Sequence, residues 1–300
     1  FFFFLKTMRS YTIFENDANQ RLDKFLKKLL PVASSSLIYK FNRKNKIKVN
    51  KKREDNEYKL QVWDVVNVFL LEEDFDALTK PASSSAQEET WAPKRNLSKK
   101  NIVYEDTDLL VLNKPAKINV HPWDHKTKET NVIYMIRDYL WDKLNSLTFK
   151  PSLIHRIDRD TSGILLIAKK KDILVKLVWD FKDHKKVSKT YFALVLGRLS
   201  RKEWTITKKL ERIEDAQNEN KVRVSENGLT AVSHFKLIEE YNLNTPEWNV
   251  IISAVEVRIE TWRMHQIRVH MASIWNPVLW DKAYWDKKMN SYLSKNYSLS

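Results

Sequence analysis

The scarcity of glycine constrains this chain more than any other feature of its sequence. Glycine occurs only three times in 300 residues, at Gly163, Gly197 and Gly228. An average usage of about 7% would place roughly 21 in a chain of this length. Tryptophan, in contrast, occurs 11 times. Tight turns need residues that tolerate positive φ, and tryptophan tolerates it poorly. A fold with many short strands would therefore lack the usual residues for its corners.

Four tryptophans stand where the local pattern predicts a turn, next to strand-like runs or turn-forming residues. They are Trp63 in QVWD, Trp275 in SIWN, Trp280 in VLWD and Trp285 in AYWD. Our hypothesis is that many of the tryptophans are glycines in the natural protein, because some organisms read UGA as glycine and a common alternative code reads it as tryptophan. The alternative is a genuinely tryptophan-rich, glycine-poor protein. The codons decide between the two, since UGG at these positions would exclude a misreading.

The charge of the chain favours a polyanionic partner. Lys and Arg number 53 against 38 Asp and Glu, a net charge of +15 at pH 7. Such a balance is most often found in proteins that bind nucleic acid. The chain has no cysteine, which excludes disulfides, cysteine nucleophiles and cysteine-ligated zinc or iron. No apolar run approaches the ~20 residues of a membrane-spanning helix, so we expect a cytoplasmic monomer without a membrane association.

The hydrophobic periodicity divides the chain into three parts. Residues 10–75 combine two predicted helices with strand-like segments that end in VVNVFL. Residues 76–100 are rich in Ser, Ala, Lys and Glu and are predicted to form a linker. Residues 101–300 mix strands and helices without a regular alternation. This pattern predicts an α+β fold, with a mixed, mainly antiparallel sheet and flanking helices.

The strongest cluster of reactive residues lies in SLIHRIDRDTSGILLIAKK, residues 152–170. A carboxylate beside arginines at the mouth of a strand stays ionised, so Asp158 could act as a nucleophile or a base. From the residues alone, a polar turn capped by Asp160 or Thr161 is the favoured interpretation. The histidine spacings lack an HExxH pattern, so we expect no catalytic metal, and no phosphate-cradling loop indicates a nucleotide cofactor.

HRIDRDTSG resembles the HRxDxxTSG signature of the RluA-type pseudouridine synthases. YEDTDLLVLNKPAKINVHP, KTYFALVLG and ETWRMHQIRVHMASIWNPVLWDKAYW resemble further segments of that family, in the same order. The resemblance covers roughly residues 101–286. Tryptophan stands where the family pattern has glycine in ETWR, SIWN, VLWD and AYWD, and QVWD shows the same swap. We expect translation to begin at Met8, and a truncation at Ser300, where the family's closing segment is missing.

The resemblance implies an enzyme that isomerises uridine to pseudouridine in large-subunit ribosomal RNA without a cofactor. It implies that Asp158 is the catalytic carboxylate and that Arg268 pairs with it. It further implies that Tyr191 stacks on the target base, and that Arg156 fills the space left when that base is flipped out of the RNA. Three alternatives remain open: a catalytically inactive ribosome-associated RNA-binding factor, a synthase acting on tRNA, and a glycosidase using Asp158 with Asp160.

The N-terminal unit resembles the S-four-type RNA-binding module, named after a small-subunit ribosomal protein, through RLDKFL, KVN and the strand VVNVFL. Many synthases of the family carry this module. The resemblance implies that its basic side chains contact RNA phosphates. The chief candidates are Lys40, Arg43, Lys46, Lys48, Lys51, Lys52 and Arg53. The alternative is a basic surface that is merely solvated.

Overall fold

The structure is a computed structural model that describes residues 7–79, 97–122, 130–140, 144, 146–183, 186–214, 220–244, 249–285 and 291. The chain forms two compact units, Phe1–Trp179 and Asp180–Ser300. The division falls inside residues 101–300, which the sequence assigns to one domain, and the predicted domain boundaries stay a prediction. Most of the predicted linker, residues 80–96, lies outside the described residues, as do Trp91, Trp123, Trp141 and Trp248.

The first part of the first unit is a three-stranded antiparallel sheet covered by helices. Its strands have the order β1-β3-β2 and its elements are β1 (Thr7–Thr12), α1 (Leu22–Leu29), α2 (Ser35–Arg43), β2 (Ile47–Val49), β3 (Val65–Leu70) and α3 (Glu72–Thr79). The apolar faces of both predicted helices pack into one core with the sheet. Ser34 begins α2, because its hydroxyl accepts a hydrogen bond from the Leu37 N–H at 3.2 Å. The two helices predicted from periodicity are therefore confirmed.

The rest of the first unit is a four-stranded antiparallel sheet with the order β4-β5-β7-β6. Its elements are β4 (Ile102–Glu105), β5 (Leu109–Lys114), α4 (Val132–Leu140), β6 (Ser152–Leu153), β7 (Gly163–Ala168) and α5 (Lys171–Lys182). Leu110, Leu112, Leu165 and Ile167 are buried on one face of the sheet with Ile136 of α4. The alternation of apolar residues in LLVL and GILLI accounts for this face.

A buried carboxylate joins these two parts of the first unit. Asp17 is inaccessible to solvent. It accepts hydrogen bonds from the N–H groups of Leu147 and Thr148, at 2.7 and 2.8 Å, and from the Thr148 hydroxyl at 2.6 Å. Such bonds compensate the cost of burying the charge, so the N-terminal sheet is fastened to the segment that precedes β6.

The second unit contains a five-stranded antiparallel sheet with the order β10-β9-β11-β12-β8. Its elements are β8 (Lys189–Leu196), β9 (Glu203–Glu214), β10 (Asn220–Val224), β11 (Leu229–Asn244), β12 (Asn249–Ile259) and α6 (Gln266–Ala272). Met271 of α6 packs against Val255 and Val257 of β12. The predicted α+β class with mainly antiparallel pairing is confirmed. None of the helices in the described ranges is long and apolar enough to cross a membrane.

Three of the four tryptophans expected at corners have a positive φ. The angles are 73° at Trp63, 66° at Trp275 and 59° at Trp280, a region where side chains with a Cβ are strained. Trp63 and Trp275 project into solvent, with 70% and 91% of their surface exposed. Trp285 does not share the positive φ, and neither does Trp262 of ETWR. The backbone thus calls for glycine at three of these five positions.

Candidate active site

Asp158 lies in the loop that connects β6 to β7. The loop is anchored at its start by His155, whose Nε2 accepts a hydrogen bond from the Leu166 N–H of β7 at 3.2 Å. It ends at Gly163, which enters β7 with a φ of 137° that only glycine adopts readily. Within the loop, the Asp158 carbonyl accepts a bond from the Thr161 N–H at 3.2 Å. The half-buried Asp158 is therefore held between two fixed ends at the mouth of the sheet.

A buried lysine ties this loop to the end of β5. Lys114 is inaccessible to solvent, and its ammonium group donates to the carbonyls of Pro115, Ile118 and Arg159 at 2.9, 3.1 and 2.9 Å. Burial lowers the pKa of Lys114 to about 8, although the charges of Asp160 and Asp158 act to raise it. The charged form has three N–H donors for three carbonyls, so the ammonium holds the chain beside Asp158. Lys114 is not among the predicted site residues, and its position at the end of the apolar strand LLVLNK is the signal for it.

Arg156 lies on the same loop and is exposed. Its charge acts on His121, whose pKa is lowered by burial and then by Arg156 and Arg137. A neutral His121 beside two arginines leaves this part of the first unit positively charged. That charge suits a site for RNA phosphates, while the space-filling role of Arg156 stays a prediction.

The second unit carries Tyr191 and Arg268. Tyr191 lies on β8 opposite Val257 and is half-buried against the core that includes Val255. Arg268 lies on α6, and its Nε and Nη2 donate to the two carboxylate oxygens of Asp281 at 2.7 and 2.8 Å. The predicted pairing of Arg268 with Asp158 stays a prediction, since the two belong to different compact units. Asp281 is absent from the predicted site residues, although its place in VLWD, where the family pattern has Gly-Asp, is a signal for it.

The basic candidates of the N-terminal part lie in the stretch from α2 to the turn that follows β2 and are exposed or half-buried. Lys40, Arg43, Lys51, Lys52 and Arg53 are exposed. The half-buried Lys46 and Lys48 place their ammonium groups 5.4 and 5.7 Å from the ring centroids of Phe41 and Phe69. None of the seven forms an ion pair with a carboxylate in the described part of the chain.

A tight turn brings three of these residues together. Val49 and Lys52 exchange backbone hydrogen bonds at 2.8 and 2.9 Å, and the residues between them, Asn50 and Lys51, have φ values of 50° and 67°. Two successive positive φ values are typical of a type I′ hairpin turn. Its tip presents Lys51, Lys52 and Arg53 to solvent. Across the described ranges, no three His, Asp or Glu side chains are grouped to hold a metal ion.

Three comparisons with known proteins agree. The model of the RNA pseudouridylate synthase family matches residues 108–273, a range that includes Asp158, Tyr191 and Arg268. The ribosomal large subunit pseudouridine synthase C of Vibrio parahaemolyticus is 36% identical over 261 residues, which cover 85% of this chain and 73% of the relative. The protein of the same name from Pasteurella multocida is 36% identical over 272 residues, which cover 88% and 74%.

A solved structure supports the fold. Human RNA Pseudouridylate Synthase Domain Containing 1 matches with a TM-score of 0.51 at 23% identity, over 63% of this chain and 70% of that one. At this identity the likeness concerns the fold alone. The family model matches more than half of this chain, and both relatives are more than 30% identical to it over most of its length. Together they show the family. The chain belongs to the RNA pseudouridine synthase family.

Proposed function

We propose that this chain isomerises uridine to pseudouridine in large-subunit ribosomal RNA. The observation that carries the substrate is the similarity to relatives named ribosomal large subunit pseudouridine synthase C over 85% of the chain. Residues 101–300 make up only two thirds of the sequence. Because the similarity covers a larger share of the chain, it extends into the N-terminal part. A synthase acting on tRNA is the alternative that the experiment must separate.

Asp158 is the proposed catalytic carboxylate. The reaction breaks the N-glycosidic bond of uridine, turns the base and rejoins it to the ribose through C5. The proton on C5 is lost to solvent and N1 takes up a proton, so the product is an isomer of the substrate. No electrons leave the substrate, so we propose that no cofactor takes part. An ionised carboxylate can attack the ribose or remove a proton from it. The loop geometry supports this role, because Lys114 donates to the carbonyl of Arg159, directly after Asp158, at 2.9 Å.

Arg268 and Tyr191 complete the proposed chemistry. A guanidinium keeps a neighbouring carboxylate ionised and oriented, which is the proposed action of Arg268 on Asp158. Tyr191 has an aromatic ring that can stack on the detached base, and its hydroxyl can assist removal of the C5 proton. The substrate base must leave the RNA stack to reach these groups, with Arg156 filling its place.

The N-terminal part is proposed to bind RNA backbone. The turn at Asn50–Lys51 and the C-terminal half of α2 lie on one continuous stretch of chain, and their cations form no ion pair with a carboxylate among the described residues. Neutralising phosphates in this way provides affinity without base readout. Substitution of Lys51 and Lys52 by glutamine should weaken binding of all RNAs alike and reduce its salt dependence.

The decisive experiment measures tritium release from ribosomal RNA labelled at C5 of uridine. It compares this chain, a version with glycine at all 11 tryptophan positions, and each of these with Asp158→Asn. Asp160→Asn is the matched control, because Asp160 is an exposed carboxylate two residues away on the same loop. We expect release by the glycine version and by its Asp160→Asn variant, and none with Asp158→Asn.

Each other outcome has a defined meaning. Release that survives Asp158→Asn would refute the role of Asp158, and loss with Asp160→Asn would favour a two-carboxylate mechanism. Binding of RNA without release by any version would support an inactive RNA-binding factor. Release from labelled tRNA, and not from ribosomal RNA, would correct the substrate.

A further inference from the structure

Asp281 is a buried carboxylate that the mechanism above does not use. Its side chain is 2% exposed, and its two oxygens receive parallel hydrogen bonds from Nε and Nη2 of Arg268 at 2.7 and 2.8 Å. Two parallel bonds fix both the position and the plane of a guanidinium. A single-point contact would leave the plane of the guanidinium undetermined.

Asp281 is itself held by the backbone. Its Oδ1 accepts hydrogen bonds from the N–H groups of Ala283 and Tyr284 at 2.9 and 3.2 Å. Burial raises the pKa of the Asp281 carboxyl. The bonds and charge of Arg268, together with the two backbone donors, lower it by more than burial raises it, so the pKa lies below the usual range. Among charged side chains, Arg268 has the largest effect on this pKa. The carboxylate is therefore ionised and fully hydrogen-bonded.

The ring of Tyr284 supports the same guanidinium. The Arg268 Cζ lies 5.0 Å from the ring centroid. The Tyr284 hydroxyl accepts a bond from the Val222 N–H at 2.8 Å and lies 2.8 Å from Nδ1 of His265, to which it can donate. The ring is thereby fixed between β10 and the residue that precedes α6. Arg268 is thus held by a carboxylate at one edge and by a ring at its face.

We propose that Asp281 is the positioning residue for Arg268. It engages the Nε and Nη2 edge of the guanidinium, so that the plane of the guanidinium is fixed before RNA binds. Asp281 also balances the charge of Arg268. This inference rests on the proposed function, because it assigns to Arg268 the catalytic partner Asp158.

The test measures kcat and KM separately for tritium release by this chain and its variants. In Asp281→Asn the charge is lost and an amide N–H faces the guanidinium. We expect kcat to fall about 10²-fold, as for a misplaced group, with little change in KM.

Two further variants separate positioning from folding. Asp281→Glu keeps the charge and changes the length, so its kcat should fall less. Glu211→Gln is the matched control, since Glu211 receives two bonds from Arg223 at 3.1 and 3.0 Å in the same unit but at an exposed site. It should leave kcat and KM unchanged.

The outcomes that overturn the proposal are distinct from a failure of the proposed function. An inactive parent chain would refute the function itself. An active parent whose Asp281→Asn variant keeps its kcat, or loses affinity in place of kcat, would refute positioning. Failure of both Asp281 variants to fold, judged by circular dichroism, would also refute it, because the carboxylate would then serve the fold alone.

Discussion

Two turns in different units of this molecule share one design. In residues 61–64 the Asp64 N–H donates to the Gln61 carbonyl, and in residues 278–281 the Asp281 N–H donates to the Val278 carbonyl, each at 3.2 Å. The third residue of each turn is a tryptophan with positive φ, 73° at Trp63 and 59° at Trp280. A positive φ at this position is typical of a type II turn, which favours glycine. A buried aspartate ends both turns.

The two aspartates differ in what they hold. Asp64 accepts bonds from the Gln61 N–H and the Asn50 amide at 2.8 Å each, and from the Tyr58 hydroxyl at 3.1 Å. All of these partners belong to the N-terminal part, whereas Asp281 holds the guanidinium of Arg268. The same local motif thus stabilises a fold in one place and orients a proposed catalytic residue in the other.

The largest effect on stability is expected for Asp64→Ala, which tests whether Asp64 serves the fold alone. Asp64→Ala leaves several buried donors without an acceptor, so we expect the free energy of unfolding to fall by about 3 kcal/mol. Urea unfolding followed by circular dichroism measures the loss, with the exposed Asp55→Ala as control. Tritium release per folded molecule should be unchanged. A kcat that falls as it does in Asp281→Asn would erase the distinction between the two turns.

Local patterns predicted the elements of the fold well. The spacing of Leu22, Phe25, Leu26 and Leu29 predicted α1, since helix formation by an amphipathic segment depends on neighbours three and four residues away. The corner tryptophans were likewise visible, because turn propensity is a property of adjacent residues. Trp285 was the exception, and its φ shows that a following aspartate alone does not define such a turn.

The hydrogen bonds that hold the predicted site residues in place could not be predicted from local patterns. Lys114 donates to a carbonyl 45 residues further along the chain, and only the folded sheet brings the two together. The bond from Arg268 to Asp281 spans 13 residues and depends on the turn between α6 and Ala283. No periodicity encodes such pairs. Resemblance to a family gives Asp158, Tyr191 and Arg268 as predicted site residues, but it does not give the bonds of Lys114 and Asp281 that hold their surroundings.

The next largest effect is expected at Trp275, which has the same strained positive φ as the tryptophans of the two turns. Trp275 ends α6 with bonds from its N–H to Ala272 and from the Asn276 N–H to Met271, each 3.1 Å, the Schellman pattern that favours glycine. Its side chain is 91% exposed, so Trp275→Gly sacrifices little packing. Relief of about 1–2 kcal/mol of strain, less the greater freedom of unfolded glycine, should raise the free energy of unfolding by about 1 kcal/mol.

Trp179→Gly is the matched control for Trp275→Gly. Trp179 is also exposed, at 66%, but lies within α5. Glycine inside a helix should lower the free energy of unfolding by about 1 kcal/mol. The same replacement should therefore have opposite signs at the two sites in urea unfolding. Equal signs would show that φ is not the cause.

A smaller gain is expected at the first of the two turns. Trp63→Gly relieves the same strain but loses the edge-to-face contact with Phe14, whose ring centroid lies 5.7 Å away. Such contacts contribute about 0.5–1.5 kcal/mol, so the net gain should be at most about 0.5 kcal/mol. Trp63→Ala loses the contact without relieving the strain, and it should be less stable than both. An alanine variant as stable as the glycine variant would contradict a strained turn.

The smallest net effect is expected at the second turn, where the opposing terms are largest. The half-buried Trp280 packs against Val250, Ile252 and Leu279, and its buried Nε1 finds no acceptor among the described residues. Trp280→Gly removes this packing, but it also removes the strain and an unsatisfied donor that costs about 1–3 kcal/mol. We therefore expect the free energy of unfolding to change by less than about 1 kcal/mol.

Because residue 280 directly precedes Asp281, tritium release by the same variant also tests whether Asp281 still positions Arg268. A loss above about 3 kcal/mol would identify the indole as an integral part of the core. It would exclude glycine at this position even if the codons at Trp63 and Trp275 proved to be UGA.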